Sequence, residues 1–185
     1  MRTFISVELP DEVREKISGA VEALKKVNAA VKWVEPKNLH ITLKFLGEVP
    51  EGEIDNLKDR VAEAVKGKKS FPAEFSGVGT FPEGRKPRVI WAGTAKGGKE
   101  QEEIAASLEK ALSKAGFREE ERGFKPHITI GRVKEGKNLD ALLGEIEKMK
   151  GKPFGGMMVE DINLMKSRLS PKGPIYEEVK SIRLG

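Results

Sequence analysis

The chain has 185 residues, with 34 Lys and Arg against 29 Asp and Glu, a net charge of +5 and no cysteine. That length can bury roughly 70% of the surface its unfolded form exposes, and 38% hydrophobic residues, 34% charged residues and a mean hydropathy of -0.44 disfavour both disorder and membrane insertion. The lack of cysteine excludes disulfides, thiolate metal sites and a cysteine nucleophile, and without an apolar run near the ~20 residues that cross a bilayer, no membrane partner and a cytoplasmic location are expected.

Alternating Ile5, Val7 and Leu9 predict a first strand over Thr3 to Leu9. Pro10 and Asp11 open a helix that runs to about Asn28, with Val13, Ile17, Val21 and Leu24 on one stripe. "VKWV" at 31–34 and "LHITLKFL" at 39–46 read as strands around a Glu35-Pro36 turn, and a second helix spans about Glu53 to Lys66. Strands at 71–81 and 88–94 follow, then a third helix from about Glu100 to Ala115 with Gly116 as its C-cap, and a strand at 127–133. A fourth helix over about Leu139 to Met149 precedes strands near 157–168 and 175–182. Strands mixed with helices in this way predict an α+β fold with largely antiparallel sheets.

The chain has only two histidines, and both head the same phrase, His-Ile-Thr-aliphatic: "NLHITLKFLG" at 38–47 and "KPHITIGRV" at 125–133. Each phrase lies on a predicted strand that precedes an amphipathic helix. The repetition predicts a duplicated, bilobal unit with pseudo-twofold symmetry, two sheets lining a central groove with helices outside, and one two-lobed domain over 1–185. Nothing in the sequence demands more than a monomer.

Side chains alternate along a strand, so His40 and Thr42 point one way while Ile41 and Leu43 point the other. His127 and Thr129 do the same against Ile128 and Ile130. A buried face of imidazole and hydroxyl would need partners, so both pairs are expected to line the groove. Histidine titrates near ~6.5, so one ring can accept a proton while the other donates one. That division suits in-line attack on a phosphodiester, with a base for the nucleophile and an acid for the leaving oxygen. The threonine hydroxyls can hold the phosphate oxygens. No metal is required, and a catalytic zinc site fails on ligand count, since no carboxylate has a matching spacing in either phrase. The G-x-S-x-G elbow, the P-loop and G-x-G-x-x-G are all absent. The basic charge suits a polyanion such as RNA.

The chain resembles the two-histidine (2H) phosphoesterase superfamily, and within it the RNA 2',3'-cyclic phosphodiesterase family, long called 2'-5' RNA ligase. The resemblance is carried by "RTFISVELP", "VKWVEPKNLHITLKFLGEV", "RVIWAG", "FKPHITIGRV" and "SRLSPKGPIYEEV". It implies hydrolysis of a 2',3'-cyclic phosphodiester at an RNA end, of which tRNA fragments are one source, to a 2'-phosphomonoester without metal, ATP or other cofactor. It also implies the related joining of such an end to a 5'-hydroxyl through a 2'-5' linkage. By family pattern His40 would donate a proton to the departing 3' oxygen, His127 would activate water, and Thr42 and Thr129 would hold the phosphate. Arg132 falls where the family often has an arginine. Alternation aims it away from the groove unless Gly131 forms a bulge that re-aims it.

Lys44 shares the face of His40 and Thr42 by alternation, and is read either as a phosphate contact or as a solvated strand-end lysine. Phe4 and Tyr176 can stack on a base or serve ordinary packing. Trp33 and Trp91 are expected in the core or between lobes. Two other readings stand beside the main one: a non-catalytic module that binds RNA ends, and a phosphodiesterase of the same superfamily that acts on a small cyclic nucleotide.

Overall fold

The computed structural model describes residues 1–185. Its strands are β1 (Arg2–Glu8), β2 (Val31–Trp33), β3 (His40–Glu48), β4 (Phe71–Phe81), β5 (Val89–Lys96), β6 (His127–Val133), β7 (Pro153–Val159), β8 (Asp161–Ser170) and β9 (Gly173–Arg183). Its helices are α1 (Asp11–Lys25), α2 (Ile54–Ala64), α3 (Gly98–Ser113) and α4 (Leu139–Lys148). The class is α+β, as expected, and every strand pairing is antiparallel. None of the helices is long and apolar enough to cross a membrane.

Strand order explains the duplication. From the centre outward the sheet reads β3-β1-β8-β9 one way and β6-β5-β4-β7 the other, with β2 added to β6. In each direction the innermost strand carries a histidine phrase, and next to it lies the strand that opens that half of the chain. The two expected sheets are halves of one. A single pair, Ile41 with Ile128, joins β3 to β6 and makes a nine-stranded sheet that curls into a half-barrel.

The helices cross between the halves. α1 follows β1 but packs on β7 and α4, whereas α3 follows β5 and packs on β3 and α2. α1 buries the expected stripe, Val13, Ile17, Val21 and Leu24, together with Ala20, and carries Asp11 and Glu12 in its first turn, where carboxylates complement the helix dipole. One apolar cluster of 37 buried residues fills the space between sheet and helices.

The predicted strand near 157–168 is two strands. β7 pairs with β4 in one half and β8 pairs with β1 in the other, with the change of lobe at Glu160. Neither glycine nor proline marks that crossing, so the sequence carries no punctuation for it.

Both histidine strands bulge at the same place. On β1–β3 the register slips between Ile5 and Ser6, which leaves Leu43 as the extra residue after Thr42. On β5–β6 it slips between Ile90 and Trp91, which leaves Ile130 as the extra residue after Thr129. A bulge puts two successive residues on one face and reverses the alternation beyond it. The first six residues of β3 and β6 therefore share one burial sequence, half-buried, buried, half-buried, buried, buried, exposed.

The bulge overturns the expectation for Lys44. Lys44 points to the helix side, is 2% exposed, and donates from Nζ to Glu109 Oε2 at 2.6 Å and to the Arg118 carbonyl at 3.0 Å. Glu109 Oε1 also accepts from the Glu120 amide at 3.1 Å, so the pair ties β3 and α3 to the segment leading towards His127. Breaking a buried ion pair strands the surviving charge. Lys44→Ala should cost about 3 kcal/mol in urea denaturation, and the double variant Lys44→Met, Glu109→Leu should lose less than half of that. Equal losses in the two would show that the charge pairing contributes nothing.

Candidate active site

His40 opens β3, opposite Glu8 of β1. Its Nδ1–H donates to the Asn38 carbonyl at 2.7 Å, and Nε2 lies 2.9 Å from Thr42 Oγ1. A carbonyl only accepts, so Nδ1 carries the hydrogen and Nε2 is the nitrogen that gains or loses a proton. Thr42 donates to Nε2 in the neutral ring. Arg14 of α1 braces the strand from behind, donating to Glu8 Oε2 at 3.0 Å and to the Leu39 carbonyl at 3.4 Å, while Ser6 Oγ donates to Glu8 Oε1 at 2.7 Å.

His127 repeats the arrangement. Its Nδ1–H donates to the Lys125 carbonyl at 2.7 Å, again two residues upstream, so Nε2 is again the nitrogen that exchanges a proton. Thr129 follows on the same face by alternation.

Aromatic rings hold both imidazoles. Phe4 lies 5.0 Å from His40, Tyr176 stands edge-on to His40 at 5.3 Å, and Phe81 stands edge-on to His127 at 5.1 Å, all between ring centroids. Tyr176 pairs in register with Ser167, far along the sheet from His40, and reaches that ring because the β8–β9 hairpin curls over the concave face. Asn38 latches the hairpin there, its Nδ2 donating to the Pro174 carbonyl at 3.1 Å.

The other predicted residues divide. Phe4 is only 4% exposed beneath His40 and Tyr176, which leaves no ring face for a base; its place is that of a support. Tyr176 is half-buried beside it. Lys44 is outside the groove altogether. Arg132 emerges on the concave face past the Ile130–Gly131 bulge, close enough to disfavour charge on His127 and to favour the Tyr176 phenolate. Trp33 packs against the core as expected.

Three groove residues escape a reading of the phrases alone. The bulge that turns Lys44 away brings out Phe45, 57% exposed, at the position equivalent to Arg132. Trp91 pairs with Thr129 and so shares its face, with the indole lying over Gly79 and Gly93, where an added Cβ would stand 2.3 Å and 3.0 Å from the ring. Phe81 lies 46 residues before the histidine it supports. The transferable signal was the repeat: a bulge inferred at Gly131 applies to the matching position of the first phrase.

The two rings differ electrically. Burial is the main influence on His40 and lowers its pKa below 6.5; the Asn38 carbonyl and the Glu8 carboxylate oppose it, while Arg14 and the other ring, His127, add to it. Burial also lowers His127; the Lys125 carbonyl opposes this and Arg132 adds to it. Ile41 and Ile128 are paired in register and both buried, so His40 and His127, each one residue before them, project together from the other face into one groove. His40 has a carboxylate that favours its cation, and His127 has a guanidinium that disfavours it.

The family model for LigT-like phosphoesterases matches residues 7–91 and again 94–176, and each span holds one histidine phrase. The chain belongs to this phosphoesterase family. It is 42% identical to an RNA 2',3'-cyclic phosphodiesterase of Archaeoglobus fulgidus over 97% of this chain and 98% of the relative. It is 38% identical to one of Methanothermobacter thermautotrophicus over 100% of this chain and 99% of the relative. The crystal structure of E. coli LigT complexed with 3'-AMP superposes with a TM-score of 0.79 at 25% identity, covering 99% of this chain and 97% of that one.

In this phosphoesterase the paired carbonyls make a spectroscopic prediction. Nitrogen-15 NMR of the imidazoles at pH 8 should find both rings as the Nδ1–H tautomer, each titrating below 6.5. An Nε2–H tautomer at either ring would contradict the geometry.

Proposed function

We propose that this phosphoesterase hydrolyses 2',3'-cyclic phosphodiester ends of RNA to 2'-phosphomonoesters, with His40 and His127 as acid and base. The observation that carries this reading is the pair of imidazoles in one groove, each with Nδ1 fixed on a carbonyl two residues upstream and Nε2 left to exchange a proton. Relatives bearing the name of this activity align over nearly the whole chain and support the choice of substrate.

Water attacks phosphorus in line, losing a proton to His127 Nε2, and the P–O3' bond breaks. His40 Nε2–H gives its proton to O3', leaving a 3'-hydroxyl and a 2'-phosphate. The charges around the two rings support that order, because Glu8 favours a cationic His40, with Arg14 opposing it in part, and Arg132 favours a neutral His127. Thr42, Thr129 and Arg132 hold the non-bridging oxygens. If a 5'-hydroxyl takes the place of water, the same step forms a 2'-5' linkage, and hydrolysis outruns it because water is everywhere.

On an RNA ending in a 2',3'-cyclic phosphate, His40→Ala and His127→Ala should each lower kcat by about a thousandfold, with circular dichroism unchanged and wild-type turnover intact in EDTA. Near-normal turnover in either variant, or complete loss in EDTA, would overturn the mechanism. Burial penalises the imidazolium, so each ring loses its proton at lower pH than a free one. The kcat/KM profile should therefore be a bell with its maximum on the acid side of 6.5. A maximum above pH 7 would contradict it.

A further inference from the structure

Lys32 of β2 is paired in register with Arg132 of β6. Residues directly opposed on antiparallel strands project from the same face, and the residues flanking Lys32 go to the other face. A Cβ on Gly131 would stand 2.8 Å from Val31 Cγ1 and 2.9 Å from Trp33 Cε3, and both of those side chains pack against the core. Lys32 is therefore on the concave side with Arg132. Because β3 and β6 run antiparallel, Phe45 and Arg132 emerge at opposite ends of the groove, and Lys32 extends the Arg132 end.

Both cations are exposed, and neither takes part in an ion pair. Like charges directly opposite one another weaken a sheet, and elsewhere this chain offsets several of its surface lysines with a neighbouring carboxylate, as at Lys58 with Asp55 and Lys148 with Glu145. At Lys32 no carboxylate intervenes. A ligand with more than one negative charge relieves that repulsion, and a single cyclic phosphate held between the histidines occupies only the inner end of the row.

We propose that Lys32, beside Arg132, binds the phosphodiester that joins the terminal nucleotide to its 5' neighbour. The enzyme then reads the end of a strand and favours it over a free cyclic mononucleotide. This rests on the reading of the groove as a cyclic phosphodiesterase and adds the second phosphate to it.

The test compares a mononucleotide 2',3'-cyclic phosphate with a dinucleotide that carries one internal phosphodiester and the same cyclic end. Wild-type enzyme should favour the dinucleotide by about tenfold in kcat/KM, a gain of the size expected for one charge-assisted phosphate contact. Lys32→Gln should remove about fivefold of that through KM, keep kcat, and leave the mononucleotide within about twofold. Lys32→Arg should restore the preference. The slope of log kcat/KM against log salt for the dinucleotide should become shallower by about 0.7 in Lys32→Gln, the value for one single-strand phosphate contact. Equal kcat/KM for the two substrates in wild type, or an equal effect of Lys32→Gln on both, would overturn the proposal while leaving the cyclic phosphodiesterase reading in place. Hydrolysis of neither substrate would overturn that reading, and this proposal with it.

Discussion

A side chain on a strand has two directions, and the residue inserted after Thr42 and again after Thr129 decides which direction everything beyond it takes. Before the bulge, alternation sends the histidine and threonine of each phrase into the groove and the isoleucines into the core. Beyond it the faces exchange. Lys44 and Gly131 go to the helix side; Phe45 and Arg132 go to the groove. Because the two phrases bulge alike on antiparallel strands joined at Ile41 and Ile128, the groove acquires an aromatic end and a cationic end about a symmetric centre.

The centre is symmetric in the carbonyls that orient its imidazoles, although only His40 also meets its threonine hydroxyl, and it is asymmetric in its charges. Each imidazole is oriented by a carbonyl two residues upstream, which fixes the tautomer by backbone geometry and leaves Nε2 facing the groove. Around that common frame the two halves have diverged. Glu8, held by Arg14 and Ser6, stands near His40, and Arg132 stands near His127. Asn38 links the frame to the wall of the groove, since its carbonyl orients His40 while its side chain holds the β8–β9 hairpin that brings Tyr176 over the same ring.

Much of this was legible in the sequence because it depends on local periodicity. The α+β class, the duplication, and the common facing of His40 with Thr42 and His127 with Thr129 follow from period-two alternation and a repeated phrase. Gly131 marked the bulge on β6, and Arg132 emerges as that glycine allows. No glycine marks the bulge on β3, so alternation put Lys44 in the groove and hid Phe45. Phe4 was legible as a concave-face residue, but its burial depends on Tyr176 arriving from a hairpin more than 160 residues later. The lobe change at Glu160 and the approach of Phe81 to His127 were likewise beyond reach, because both are set by which strands pair.

The assignment of acid and base can be tested by changing the leaving group. With a 2',3'-cyclic substrate whose 3' oxygen is replaced by sulfur, the departing thiolate needs no proton, so an acid becomes dispensable while a base does not. If His40 is the acid and His127 the base, His40→Ala should recover to within about tenfold of wild type on the sulfur substrate, and His127→Ala should stay inactive. Recovery of His127→Ala with continued inactivity of His40→Ala would reverse the roles, and recovery of neither would contradict acid-base division between the two histidines.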